Sequence, residues 1–112
     1  MESRPSVSLF QGDIILVPFP FTDLSSIKTR PALVISKVMR GDDVIVCAIT
    51  SKSFRGGITF TESDLTSGRL PFVSYVRPEK VVALHRSLIR KTVAKLGKRK
   101  MMEVVKLFKD QF

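Results

Sequence analysis

Cysteine and histidine each occur once in the 112 residues, and tryptophan does not occur. A single cysteine excludes an intrachain disulfide, and one cysteine with one histidine leaves too few ligands for a transition-metal cluster. The ten acidic residues show no D-x-D or H-E-x-x-H spacing, so neither metal nor cofactor is expected. Long hydrophobic runs are also missing. No stretch approaches the roughly 20 apolar residues that span a bilayer. Met1 to Phe10 has neither the charged start nor the apolar middle of a secretory leader, so the expectation is a cytoplasmic protein that does not contact membranes.

Basic charge is abundant. Nineteen Lys and Arg against ten Asp and Glu give a net charge of +9 and a pI near 10.2. A field of that sign selects polyanions through steering and counterion release, which makes nucleic acid the leading partner class. With 44% hydrophobic residues, the chain is long enough for one core and too short for two. We read a single domain over 1–112, with 1–10 as a lead-in to which Val7 and Leu9 could add an edge pairing.

Asp13 to Phe19 is β-branched or aromatic and ends at Pro18 and Pro20, which predicts a first strand of about six residues. A polar loop follows over Phe21 to Thr29. Pro31 to Lys37 reads as a second strand, Gly41-Asp42 as a turn, and Asp43 to Thr50 as a third strand buried on both faces, the two forming a hairpin. Ile58 to Thr61 reads as a short edge strand and Ser67-Gly68 as a turn. Phe72 to Val76, Lys80 to Leu84 and Leu88 to Lys95 read as three short strands with turns near Pro78 and His85. After Gly97 the apolar spacing changes to three, four and seven, at Met101, Val104, Val105, Phe108 and Phe112, which predicts an amphipathic helix over 98–112. The pattern is that of a mainly β fold, a small barrel whose open side the helix covers.

RNA carries its own nucleophile, so its cleavage needs no metal. A protein must move protons and stabilise charge on the phosphoryl oxygens, for which a guanidinium and a hydroxyl are suited. Arg30 opens the second strand, while Thr50 and Ser51 close the third, so a hairpin brings all three to one rim. The structural alternatives are a salt bridge from Arg30 to Asp13 or Glu79, and a backbone-bonded strand end at Thr50. His85 could shuttle a proton or could be a surface turn residue. Tyr75, with Phe19, Phe21 and Phe72, could stack on bases, although for each phenylalanine core packing is the favoured reading. Cys47, inside Val44 to Ile49, reads as core.

Gly12-Asp13-Ile14-Ile15, Arg30-Pro31-Ala32-Leu33-Val34-Ile35-Ser36 and Ala48-Ile49-Thr50-Ser51 stand in the order and spacing of the MazF/PemK toxins, which the chain resembles from these motifs through Val81 to Leu96 and the terminal helix. The resemblance implies an SH3-like barrel of the CcdB/MazF type and a homodimer. It also implies metal-independent cleavage of single-stranded RNA at short sequences, leaving a 2′,3′-cyclic phosphate and a 5′-hydroxyl. Arg30 would act in proton transfer and phosphate stabilisation, and Thr50 would hold the scissile phosphate. Phe19, Thr22, Lys28, Thr29, Ser51 and Lys52 would contact substrate. The implied partner is a cognate antitoxin with an acidic flexible tail. The first loop, Thr22 to Thr29, departs from the Gly-rich segment of many relatives. A competing class is a non-catalytic barrel, either a CcdB-like toxin directed at gyrase or a nucleic-acid binder.

Overall fold

The computed structural model describes residues 9–18, 29–37, 41–52, 56–70 and 72–111. Seven strands form one antiparallel sheet: β1 (Asp13–Pro18), β2 (Thr29–Val34), β3 (Asp43–Thr50), β4 (Ile58–Phe60), β5 (Leu65–Gly68), β6 (Ser74–His85) and β7 (Lys91–Leu96). Their order across the sheet is β4-β6-β3-β2-β1-β7-β5. A single helix, α1 (Lys98–Gln111), follows. This is a mainly β fold, a curled half-barrel with a C-terminal helix.

Alternation in the central strands divides the apolar residues between two clusters. Ile14, Leu33, Cys47, Ile49, Phe60 and Val76 join Met101 and Val104 of α1 in the first. Ile15, Val17, Ala32, Val34, Val46 and Ala48 form the second, with Leu9 of the lead-in packed among them. The helix therefore closes one side of the curled sheet, as its apolar spacing predicts, with Val105 and Phe108 packed beside its two buried residues. β1 and β3 follow the expected spans, except that Phe19 and the lead-in residues 1–8 lie outside the described residues and Ile45 is exposed on β3. Phe112 also lies outside them.

Three expectations are corrected. β2 starts two residues before Pro31, because its pairing with β1 runs on through Val17↔Arg30 to Pro18↔Thr29. It stops at Val34, where the amides of both Ile35 and Ser36 turn to Ile45 O and the Ser36 hydroxyl accepts from Ile45 N at 2.7 Å. The turn expected at Pro78 is a bulge inside one twelve-residue strand, β6: its pairing with β3 shifts between Cys47↔Val81 and Ile49↔Val76, so Arg77 to Lys80 face a single β3 residue. A bulge needs no ladder bond from Pro78, which is why the strand survives its proline. Ser67-Gly68 is the end of an edge strand rather than a free turn, with Gly68 paired to Ala94.

An ion pair between a buried aspartate and a half-buried lysine fixes the start of the sheet. Asp13 is 5% exposed; its Oδ1 lies 3.2 Å from Lys95 Nζ and its Oδ2 accepts from Phe10 N at 3.0 Å. Lys95 Nζ also stands over the Phe10 ring, 5.4 Å from its centroid. The pair ties the first strand to β7 across 82 residues of chain.

Gly68 has φ +78°, and a Cβ there would overlap Val93 O and Ala94 Cα. Backbone cannot give way as a side chain can, so Gly68→Ala should cost about 2 kcal/mol or more, through left-handed strain and the clash together. A thermal melt should show a fall in Tm of roughly 10 °C; an unchanged melt would show that β5 does not approach β7 this closely.

Candidate functional site

Strand register assembles a polar row. β2 and β3 pair Ala32↔Ala48, Leu33↔Cys47 and Val34↔Val46. Continuing that register by two residues sets Arg30 opposite Thr50. Thr50 pairs in turn with Tyr75 of β6, and Tyr75 with Thr59 of β4. Arg30, Thr50, Tyr75 and Thr59 thus cross four neighbouring strands at intervals of about 4.8 Å. All four alternate with residues of the helix-side cluster, namely Leu33, Ile49, Val76, Ile58 and Phe60, and so project from the opposite face.

The row is accessible. Arg30 and Thr59 are exposed, and Thr50 and Tyr75 are half-buried. Thr50 ends β3, and its Oγ1 accepts from Lys52 N at 3.1 Å, the backbone-bonded strand end that its position allows. A hydroxyl used as an acceptor still has a proton to donate. Thr29, Ser51 and Lys52 are exposed beside the row. Phe19, Thr22 and Lys28, the remaining expected contacts, lie outside the described residues, as does most of the loop from Phe21.

The acids proposed as structural partners of Arg30 are engaged with other cations. Asp13 is held by Lys95, and Glu79 accepts from Arg77 Nε at 2.9 Å and pairs with Arg77 Nη2. Arg77, two residues beyond Tyr75, shares its side of the strand and stands at the bulge. Sequence reading missed Arg77 and Thr59 as neighbours of the row, because only the bulge and the β4 pairing bring them there, while Glu79, expected as a possible partner of Arg30, pairs with Arg77. The signal available was Pro78 between two oppositely charged residues inside an otherwise strand-like run.

His85 is remote from the row. It pairs with Asp43, at the other end of β3 from Thr50, about 23 Å away at strand rise. Its Nδ1 accepts from Ser87 N at 3.1 Å, and its Nε2 lies 3.7 Å from Asp42 Oδ2. It caps the 3-10 turn Arg86–Leu88 that leads into β7. Phe72, another stacking candidate, is exposed just before β6. Among the described residues, no group of three or more His, Cys, Asp or Glu side chains is disposed to hold a metal ion, and no helix is long and apolar enough to cross a membrane.

A guanidinium, two hydroxyls and a phenol in line on an open sheet face can contact successive oxygens of a phosphodiester chain, while the phenol ring offers a surface to a base. The fold and this row define a class of small, basic, helix-capped half-barrels with an exposed polar face. Comparison with known proteins narrows the class. The family model described as the PemK-like, MazF-like toxin of type II toxin-antitoxin systems matches residues 10–112, and the chain belongs to that family. Curated proteins give no significant match. Similar solved structures include an endoribonuclease in complex with its cognate antitoxin from a Mycobacterial species, at 14% identity and a TM-score of 0.67, covering 91% of this chain and 90% of that one. An endoribonuclease from a Mycobacterial species has 14% identity and a TM-score of 0.66, with 91% and 88% covered. The Mycobacterium tuberculosis toxin MazF-mt6 has 14% identity and a TM-score of 0.68, with 88% and 93% covered. At this identity the likeness is one of fold.

Cys47 sits behind the row and is fully buried. Its thiol donates to Arg77 O at 2.8 Å. Burial, assisted by the Glu79 carboxylate and opposed by Arg77, raises its pKa from an ordinary 9.0 to about 12. A thiol this reluctant to ionise is not a nucleophile at neutral pH. At pH 8 its thiolate fraction should be about 10³-fold below that of a free thiol, and a thiol reagent such as DTNB should react only after denaturant is added. Because the folded value lies above the unfolded one, this group's contribution to stability is complete below pH 9.0 and is lost as pH rises toward about 12. Cys47→Ala should flatten that part of the stability profile; rapid DTNB reaction in the native state would contradict the burial.

Proposed function

We propose that this toxin is an endoribonuclease that cuts single-stranded RNA, with Arg30 and Thr50 at the centre of its site. Support comes from membership of the PemK-like, MazF-like toxin family, from solved neighbours that are endoribonucleases, and from the +9 charge. The observation that carries the site is the juxtaposition of an exposed guanidinium and a strand-end hydroxyl on adjacent strands.

In the proposed reaction the 2′-oxygen of one nucleotide gives up its proton to solvent and bonds to the adjacent phosphorus, while the P–O5′ bond breaks and the departing 5′-oxygen of the next nucleotide takes up a proton from solvent. The products are a 2′,3′-cyclic phosphate and a 5′-hydroxyl. Negative charge builds on the non-bridging oxygens as the phosphorus becomes five-coordinate. Arg30 neutralises it with paired N–H donors and assists proton transfer, while the Thr50 hydroxyl holds a phosphoryl oxygen from the neighbouring strand. No metal is required, because the substrate supplies the nucleophile and the guanidinium the positive charge. Thr29, Ser51 and Lys52 flank the phosphate, and Phe19, Thr22 and Lys28 add further substrate contacts. The toxin acts in the cytoplasm as a homodimer, and a cognate antitoxin with an acidic flexible tail blocks the RNA face, by analogy with the neighbour solved with its antitoxin.

Purified protein in EDTA should cut single-stranded RNA and leave cyclic-phosphate ends, detectable because adapter ligation at the 3′ end fails until the phosphate is removed enzymatically. Arg30→Ala should lower the rate by about 10³-fold and Thr50→Ala by about 10²-fold, with unchanged melting curves. Arg30→Lys keeps the charge but loses the paired donors, so it should fall between wild type and Arg30→Ala. Undiminished cleavage by Arg30→Ala, or cleavage only with added divalent metal, would overturn this assignment.

A further inference from the structure

The two ends of the polar row differ in chemistry. Around Arg30 the exposed neighbours are Thr29, Ser51 and Lys52, a cationic and hydroxyl-rich setting. At the other end Tyr75 of β6 stands between two threonines, Thr50 of β3 and Thr59 of β4. Ile58 and Phe60, on either side of Thr59, pack into the helix-side core, so Thr59 and Tyr75 share the open face. Arg77, two residues beyond Tyr75, is paired with Glu79, and the pair adds no net charge there. Val73, two residues before Tyr75, is 45% exposed. Tyr75 itself is half-buried and stands outside both described core clusters. It lies one strand from Thr50 and two from Arg30, about 5 and 10 Å at strand spacing.

We propose that Tyr75 forms a nucleobase subsite: its ring stacks on the base of a nucleotide next to the scissile phosphate, and the Thr59 hydroxyl meets the edge of that base. The inference deepens the reading of this face as an RNA site and rests on it. A phosphate held between Arg30 and Thr50 leaves the base of its own nucleotide within reach of the next strand, where Tyr75 stands. A phenol ring presents a π-face on which any base can stack, whereas a surface without free cations gains little from phosphate. Thr59 can donate or accept, so it meets either kind of group on a base edge. Core packing alone would bury the ring; here it is bracketed by hydroxyls on both neighbouring strands and stays partly open. The two ends of the row then divide the work. Arg30 supplies charge, and Tyr75 supplies register, fixing which P–O5′ bond lies against the guanidinium.

The composition supplies a direct probe. Tyr75 is the one tyrosine of the chain and tryptophan is absent, so the tyrosine emission of the full protein reports this ring alone. An uncleavable 2′-O-methyl RNA 12-mer of mixed sequence should quench that emission saturably, in step with binding followed by fluorescence anisotropy of a labelled oligomer. Inorganic polyphosphate, a phosphate chain without bases, should leave the emission unchanged. Arg30→Ala should weaken binding yet reach the same quench at saturation. Tyr75→Ala should weaken binding by about 10-fold or more, and Tyr75→Phe, which keeps the ring, should recover most of that loss. The quench is read on the wild-type protein, so it decides the matter even where Tyr75→Ala melts early. Binding with unchanged tyrosine emission, an equal quench by polyphosphate, or a folded Tyr75→Phe that binds no better than Tyr75→Ala would each overturn the proposal. Cleavage of unmodified RNA without any quench would overturn the stacking and spare the cleavage reading. A quench without scission would support the stacking and count against cleavage, and no RNA binding would overturn both.

Discussion

The β2–β3 register is the constraint on which both core and site depend. With Leu33 opposite Cys47, two small apolar clusters form on the two sides of one sheet and Arg30 falls against Thr50. A slip of one residue would exchange the two faces of β2 relative to its neighbours, bringing the guanidinium toward the helix-side core and Leu33 outward. The cost of burying a charge makes that alternative inaccessible, so packing energy also enforces the position of Arg30 relative to Thr50. Pro31, opposite Leu16, adds a second restriction: it fixes its own φ and holds Arg30 in extended backbone.

The same economy explains the basic surface. A chain of this size buries a modest fraction of its area, and its two clusters leave little interior for polar groups. Asp13 and Ser74 are the buried polar residues described, and each is satisfied, Asp13 by Lys95 and Phe10 N, and Ser74 by donation to Phe72 O. Almost all remaining charge is therefore displayed, and because lysine and arginine dominate, the displayed field is positive. Position decides what that field can do. At Arg30 the cation stands at a strand mouth beside a hydroxyl, a setting for phosphate.

What could be read from the chain follows from how local each signal is. β3 was legible to the residue because an apolar run is bounded by Gly41 and a polar end at Thr50. The terminal helix was legible because its spacing changes after Gly97. The hairpin, and with it the Arg30–Thr50 juxtaposition, followed from two adjacent strands with a glycine turn between them. β6 was not legible as one strand: a proline inside a strand reads locally as a stop, and only pairing with both β3 and β4 shows that a bulge absorbs it. β5 was missed for a similar reason, since Gly68 is demanded by the approach of the β7 backbone and not by a turn. Thr59 and Arg77 could not be tied to the row in advance, because their nearness depends on those same long-range pairings.

His85 and Arg30 show why residue type alone is a poor guide here. Imidazole is the side chain most often suited to proton transfer near neutrality, and this chain has one, yet it caps a turn at the far end of β3. The guanidinium is the less obvious choice for moving a proton, yet it stands where the continued strand register adds a hydroxyl on the next strand. If RNA brings its own nucleophile, the demand on the protein shifts from proton abstraction toward holding charge at phosphorus, and that is the task for which a fixed, always-cationic fork on a rigid strand is best suited. Geometry and chemistry then favour the same residue, and an imidazole is not required at the centre of the reaction.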